Sequence, residues 1–227
     1  MGATDPLLRP IAEHSLLVEF GDRIDPQIHA RVLQLDRALA AAPFPGFLEA
    51  VPAYAALLIR FDPLQTDHGG VGRIVRGLLG TGGQAVPDGP IREVAVCYED
   101  DLAPDLPAVA RTAGLTPEAV IAAHLSGDYR VYMYGFAPGY AYLAGVPEAI
   151  RMPRKPAAVR GIPAGSVVIA GPQCLVTTLA MPTGWWIIGR SPTRVLTADP
   201  ARPFLFDVGD RVRFRRIPRA GLERDGA

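Results

Sequence analysis

Along the first hundred residues the apolar positions switch between a period of two and a period near 3.6. Ile11 to Phe20 is an apolar stretch closed by Gly21-Asp22, the pattern of a strand. Asp25 followed by Pro26 reads as an N-cap with proline at the first helical position, and Ile28, Val32, Leu35 and Leu39 then recur at helical spacing. Phe47 to Val51 and Tyr54 to Phe61 predict two strands parted by Pro52, and Val71, Ile74, Val75, Leu78 and Leu79 predict a helix within Asp67 to Leu79. Ile91 to Tyr98 predicts one more strand. Strand, helix, strand, strand, helix, strand is the order of a ferredoxin-like α/β domain, which we assign to residues 1–99, with Gly80 to Pro90 as a loop inside it.

The pattern changes after residue 100. Two short helices are expected first, Asp105 to Ala113 ended by Gly114 and Pro117 to Leu125 opened by Thr116. From Tyr129 onward helical spacing disappears. Short apolar runs at 130–134, 166–170, 175–179, 185–188, 195–197 and 211–217 alternate with Gly/Pro turns, as in a compact all-β barrel filling residues 100–227. If 185–188 is a strand, Trp185 and Trp186 point to opposite faces, so only one of them is required in a core. The fold class is therefore α+β.

Composition narrows the function. In 227 residues, 23 Lys+Arg balance 23 Asp+Glu, which argues against a chain built to neutralise nucleic-acid phosphates. Lys155 is the single lysine; the other 22 basic residues are arginines, and a Walker-type phosphate loop is excluded because Pro156 follows that lysine. Cys97 and Cys174 stand far apart, the four histidines have no metal-ligand spacing, and no Gly-x-Ser-x-Gly elbow occurs, so no metal ligand set is identified. The first ten residues lack the apolar core of a signal peptide, and the uncharged run Gly161 to Gly189 is broken by prolines and glycines, so a cytoplasmic chain without a membrane partner is expected.

Three stretches could carry chemistry. Gly135-Phe136-Ala137-Pro138-Gly139-Tyr140-Ala141-Tyr142 combines backbone freedom with aromatic faces bearing hydroxyl tips; it reads either as a pocket rim or as barrel packing. Arg151, Arg154 and Arg160 precede the uncharged run and suit carboxylate or phosphate, or form a solvated basic loop. Trp185-Trp186 followed by Arg190 and Ser191 is the third. Weaker signals are His124 near a helix end, a capping or surface residue with general base as the alternative, and Gly69-Gly70-x-Gly72, a phosphate cradle or simple loop. Asp100, Asp101 and Asp105 could chelate a cation, but Pro104 and Pro107 around them favour a solvated, turn-rich connector.

Taken together, Tyr129-Arg-Val-Tyr with Gly135-Phe-Ala-Pro-Gly-Tyr-Ala-Tyr-Leu, Pro153-Arg154, Ile162-Pro-Ala-Gly-Ser-Val, Gly189-Arg-Ser-Pro and Gly209-Asp-Arg-Val-Arg-Phe resemble the family of the 5-oxoprolinase B component (PxpB), also known as the KipI or allophanate hydrolase subunit 1 family. The resemblance implies a small α/β domain followed by a cyclophilin-like β-barrel. It implies a cytosolic component of an ATP-dependent hydrolase that opens the lactam 5-oxoproline to glutamate, with a paralogous PxpC-type chain and a PxpA-type chain as partners, ATP as co-substrate bound by the complex, and no activity for the chain alone. On that basis Arg154, Arg160 and Arg190 are expected to supply the positive field at the reacting amide. Gly135, Phe136, Pro138, Gly139, Tyr140, Tyr142, Ser166, Gln173, Trp185 and Ser191 are expected to hold the substrate.

The chain departs from the family pattern where Ala158-Val159 replace a second Pro-Arg and displace Arg160 by one position. It also departs at Cys174-Leu-Val-Thr-Thr178 and at Pro182-Thr-Gly-Trp185. These changes admit another lactam, a urea-like or carboxylated amide, or a chain kept for binding alone. Two further readings follow from the resemblance: a KipI-like inhibitor of a sensor histidine kinase, and a component that works with allophanate hydrolase or urea carboxylase.

Overall fold

The computed structural model describes residues 5–80 and 89–225, and two compact units divide the chain after residue 87. Residues 81–88, most of the expected glycine-rich loop, lie outside the described residues.

The first unit contains β1 (Leu7–Ile11), β2 (Ser15–Glu19), α1 (Pro26–Ala41), β3 (Phe47–Pro52), β4 (Ala56–Phe61) and α2 (His68–Gly80). Asp25 caps α1 as its sequence predicts, its Oδ1 accepting from the backbone N–H of Gln27 at 2.8 Å and of Ile28 at 3.2 Å. The sheet runs β1-β2-β4-β3, antiparallel throughout. Leu16 and Val18 on β2 and Leu57, Ile59 and Phe61 on β4 share a core with Val32, Leu35 and Leu39 of α1 and Val71 and Val75 of α2. Period-two burial on the strands meets period-3.6 burial on the helices, and truncating one of the fully buried side chains to alanine would cost about 2–5 kcal/mol.

Two elements differ from the expected ferredoxin-like order. The strand expected over 11–20 is β2, and an unexpected strand, β1, precedes it in a hairpin whose turn carries Ala12 at φ 48°. No glycine or asparagine marks that left-handed position, so the turn is silent in the sequence. The strand expected to close the first domain, β5 (Ile91–Val96), instead pairs in parallel with β13 (Arg211–Arg216) of the second unit. Val94 and Val96 enter one core and Ala95 another, so this strand needs cover on both faces.

The second unit follows β5 with a 3₁₀ turn (Asp100–Leu102), α3 (Leu106–Ala113), α4 (Pro117–Leu125), β6 (Tyr129–Tyr134) and β7 (Ala141–Ala144). A second 3₁₀ turn (Glu148–Ile150) leads to β8 (Val159–Ile162), β9 (Ser166–Ala170), β10 (Gln173–Val176), β11 (Met181–Thr183), β12 (Trp186–Arg190), β13 and α5 (Arg219–Asp225). Strands β7, β8, β11 and helix α5 are not among the sequence expectations, and the run at 195–197 contributes only a bridge between Leu196 and Phe204. The main sheet runs β12-β9-β10-β7-β6-β13-β5, and Cys97 and Arg190 exchange two backbone hydrogen bonds of 2.8 Å that join its first and last strands. The result is a nearly closed barrel.

The uncharged run is explained by two-sided burial. Val167, Ile169, Cys174, Val176 and Ile188 face the barrel core with α3 and α4, whereas Val168, Ala170, Leu175, Trp185 and Ile187 face a second apolar layer. That outer layer includes Ile162 and Met181 of the β8–β11 ribbon. Among the described residues no helix is long and apolar enough to cross a membrane.

Candidate functional site

Outside β9, β10 and β12 lies a cavity of about 220 Å³ lined by Phe136, Tyr140, Tyr142, Arg154, Val168, Leu175, Thr177, Pro182, Thr183, Gly184 and Trp185. It is small for a drug-sized ligand and suits a compact one. Its floor is the apolar outer face of the barrel; its rim comes from the Gly135–Tyr140 loop, the extended 152–155 segment and β11.

Local chemistry shapes the rim. Gly139 takes φ +73°, and a Cβ there would stand 2.7 Å from Leu196 Cδ2, so glycine is needed for both conformation and space. The Thr178 hydroxyl donates to the Pro138 carbonyl at 2.6 Å, tying the loop to the segment after β10. Phe136 sits at φ +70° while 74% exposed, an arrangement that stores strain in an aromatic residue with little burial to offset it.

The electrostatics are one-sided. The Arg154 guanidinium lies 5.7 Å from the centre of the Trp185 ring, with no carboxylate partner among the described residues. Residues 149–198 contain no Asp or Glu at all. Burial raises the pKa of Tyr140, and Tyr142 adds to that rise; burial also raises Tyr142, against the opposing charge of Arg154. Both phenols therefore remain protonated donors at neutral pH. One fixed cation, two phenol donors and aromatic walls suit a small anion with a flat or ring-shaped body.

Of the residues singled out in the sequence, Phe136, Tyr140, Tyr142, Arg154 and Trp185 converge here. Gly135, Pro138 and Gly139 shape the loop without lining the cavity. Arg160 is exposed on β8, and Arg190 is half-buried at the barrel seam, with its Nε lacking a hydrogen-bond partner and burial lowering its pKa against the charge of Asp101. Neither lines the cavity. Ser166 is fully buried, its hydroxyl donating to the Pro163 carbonyl at 2.8 Å and its N–H to Thr177 Oγ1 at 2.9 Å, so its work is to fix a turn. Gln173 opens β10, facing Ala144 and Ala170 in the sheet. Ser191 lies in a neighbouring cavity of about 340 Å³ that shares Thr177, where its Oγ accepts from the Thr193 N–H. That cavity is larger but lacks aromatic walls; its Thr177 hydroxyl donates to Pro163 and its Thr193 hydroxyl accepts from the Ala95 N–H.

The first unit offers a cavity of about 380 Å³ near Leu8, Arg31 and Arg76 without comparable aromatic walls. The glycines at 69, 70 and 72 lie within α2, and the carboxylate of Asp67 already accepts from the Gly70 N–H at 2.6 Å. Leu175, Thr177 and Thr183 entered the sequence reading only as departures from the family pattern, and Val168 was missed; its one signal was its place in the uncharged run.

Comparison with known proteins decides the kinship. The chain is 34% identical over 221 residues to the B component of 5-oxoprolinase from Bacillus subtilis (strain 168), covering 92% of each. It belongs to the PxpB family of 5-oxoprolinase components. A profile described as carboxyltransferase domain, subdomain C and D, matches residues 6–206. Among solved structures, TTHA0988 superimposes with a TM-score of 0.79 at 38% identity, covering 90% of this chain and 40% of that one. The chain thus spans well under half the length of that protein. The K. lactis urea amidolyase superimposes equally well, TM-score 0.79 over 96% of this chain and 15% of that one, at 17% identity, a likeness of fold alone.

Proposed function

We propose that this chain is the PxpB-type component of an ATP-dependent hydrolase complex that opens 5-oxoproline to glutamate, acting with a PxpC-type and a PxpA-type chain and inactive without them. The observation that carries the reading is the 34% identity along 92% of both chains to a 5-oxoprolinase B component, joined to a small cavity holding one unpaired guanidinium between aromatic walls.

In this reading the carboxylate of 5-oxoproline pairs with Arg154, its ring lies against Trp185, and the Tyr140 and Tyr142 hydroxyls offer donors to the lactam oxygen. A lactam carbonyl resists water; transferring a phosphoryl group from ATP to its oxygen releases ADP and makes the carbon electrophilic. Water adds to that carbon, the adduct expels the ring nitrogen as an amine that takes up a proton, and a second water hydrolyses the resulting acyl phosphate to glutamate and phosphate. A cavity of about 220 Å³ suits the lactam without a nucleotide beside it, in keeping with an ATP site supplied by the assembled complex. Of the three arginines expected to supply positive charge, Arg154 alone reaches the cavity, and it is the one to which we give the anion.

The test is co-expression of this chain with the chains encoded beside it, followed by assay of ATP hydrolysis across 5-oxoproline, other lactams and urea. Glutamate and ADP formed in step with 5-oxoproline support the proposal. Turnover with urea alone, or none with any lactam, overturns it.

A further inference from the structure

The 152–155 segment is not part of a strand, yet Met152, Pro153 and Lys155 are each tied down by hydrogen bonds. Met152 is buried in the barrel core and its carbonyl accepts from the Gly171 N–H at 2.6 Å. The Pro153 carbonyl accepts from Trp186 Nε1 at 2.6 Å. Lys155 donates its backbone N–H to the Gly184 carbonyl at 2.7 Å and its Nζ to Asp105 Oδ2 at 2.6 Å, with the ammonium 5.3 Å from the Trp186 ring centre. Arg154, between these two anchors, is the one side chain of the segment that faces the cavity.

Asp105 is the unexpected partner. It occupies the N-cap position of α3, where an aspartate ordinarily accepts from the helix N–H groups at a gain of about 1 kcal/mol. Its side chain caps nothing. The same Oδ2 instead takes the Lys155 ammonium and the backbone N–H of Ile187 at 2.7 Å, so one carboxylate oxygen binds the segment before β8 to strand β12. The pair is largely shielded, with side chains 11% and 19% exposed, and a shielded, hydrogen-bonded ion pair fixes geometry more firmly than a surface one.

We infer that Lys155 and Asp105 are positioning residues that hold the Arg154 guanidinium over Trp185, and so set the affinity of the cavity for a carboxylate. The inference rests on the function proposed above for its ligand, though not for its geometry. Neither residue touches the ligand; both act through Arg154.

The chain has two tryptophans, so a ¹⁵N-labelled full-length sample gives two indole N–H signals; Trp185→Phe identifies that of Trp185 by its loss, and Arg154→Ala sets the direction of its shift. Lys155→Met and the milder Asp105→Asn, which keeps an acceptor for Ile187, should move that signal in the same direction. Titrated with 5-oxoproline, each should bind about tenfold more weakly, a change of about 1.4 kcal/mol. Lys155→Arg should recover most of the affinity, and Lys155→Met should add less than about twofold in the Arg154→Ala background. A Trp185 signal unmoved in both latch variants, or a Lys155→Met effect of full size without Arg154, overturns the inference. If Arg154→Ala leaves 5-oxoproline binding unchanged, the lactam assignment falls, and the Trp185 signal still judges the latch.

Discussion

The phenol oxygen of Tyr98 lies 2.7 Å from Nδ1 of His124, both buried where α4 meets the barrel core. Cys174 Sγ stands 3.7 Å from Nε2 on the other side of the ring, and Phe214 and Tyr129 pack against it at 4.5 and 5.3 Å between centres. Among the described residues no carboxylate is hydrogen-bonded to the imidazole. Burial alone pushes the His124 pKa down to about 3, and it raises the Tyr98, Tyr129 and Cys174 groups above their ordinary values. The neutral imidazole shares a hydrogen bond with the phenol, a structural role far from the surface or capping residue that the sequence suggests.

This relationship fixes an acid limit. The unfolded chain binds a proton at His124 near pH 6.5, and the folded chain does not until about pH 3. Stability from this group is therefore fully present above pH 6.5 and is lost as pH falls, by roughly 3 kcal/mol between pH 6.5 and 4. Urea unfolding across that range should show wild type losing more stability than His124→Phe by about that amount, with the variant weaker at pH 7 because Tyr98 loses its hydrogen-bond partner. Parallel pH slopes would show that His124 is charged in the folded state.

Ser166 and Arg154 should separate folding from binding. Ser166→Ala removes one of two hydroxyls that donate to the Pro163 carbonyl, the other being that of Thr177, and should lower stability by about 1 kcal/mol with 5-oxoproline affinity intact. Arg154→Ala should do the reverse, leaving the unfolding midpoint near wild type and abolishing turnover of the assembled complex. A lactam affinity that drops with Ser166→Ala would return that serine to the site.

How much of this was legible depended on whether a residue's work was local. Asp25-Pro26 and Thr116-Pro117 begin helices where the sequence says, because capping is decided within four residues. The β1–β2 turn was invisible because Ala12 takes a left-handed conformation without glycine, and β5 was misplaced because its pairing with β13 spans more than a hundred residues. The aromatic loop and Arg154 could be read as site candidates because glycines, rings and a cation stand together in the chain. Asp105 could not: its role comes from Lys155 and Ile187, 50 and 82 positions away.

Gly139 should tolerate no side chain. Alanine would have to hold φ +73° and displace Leu196 and the Thr178 methyl, which a Cβ would approach to 2.7 and 3.0 Å. Gly139→Ala should cost about 2 kcal/mol in urea unfolding and weaken 5-oxoproline binding, because the rim shifts with the loop. Wild-type stability in this variant would mean the loop rearranges freely and does not hold the rim.

Phe136 offers the sharpest contrast between stability and function. Its backbone sits at φ +70°, a region that costs a non-glycine residue about 1–2 kcal/mol, while the residue is 74% exposed and its ring stands edge-on to Tyr140 at 5.7 Å between centres. Folding gains little from such a side chain. Phe136→Gly removes the strain but loosens the unfolded chain by about 0.5–1 kcal/mol, so stability should stay level or rise slightly. Phe136→Ala keeps the strain and loses the ring, so it should be the less stable of the two. Both should bind 5-oxoproline several-fold more weakly, since both remove the same wall of the cavity. Isothermal titration beside urea unfolding reads the two quantities separately. If Phe136→Gly gains stability and binds the lactam as wild type does, the ring serves something other than this cavity.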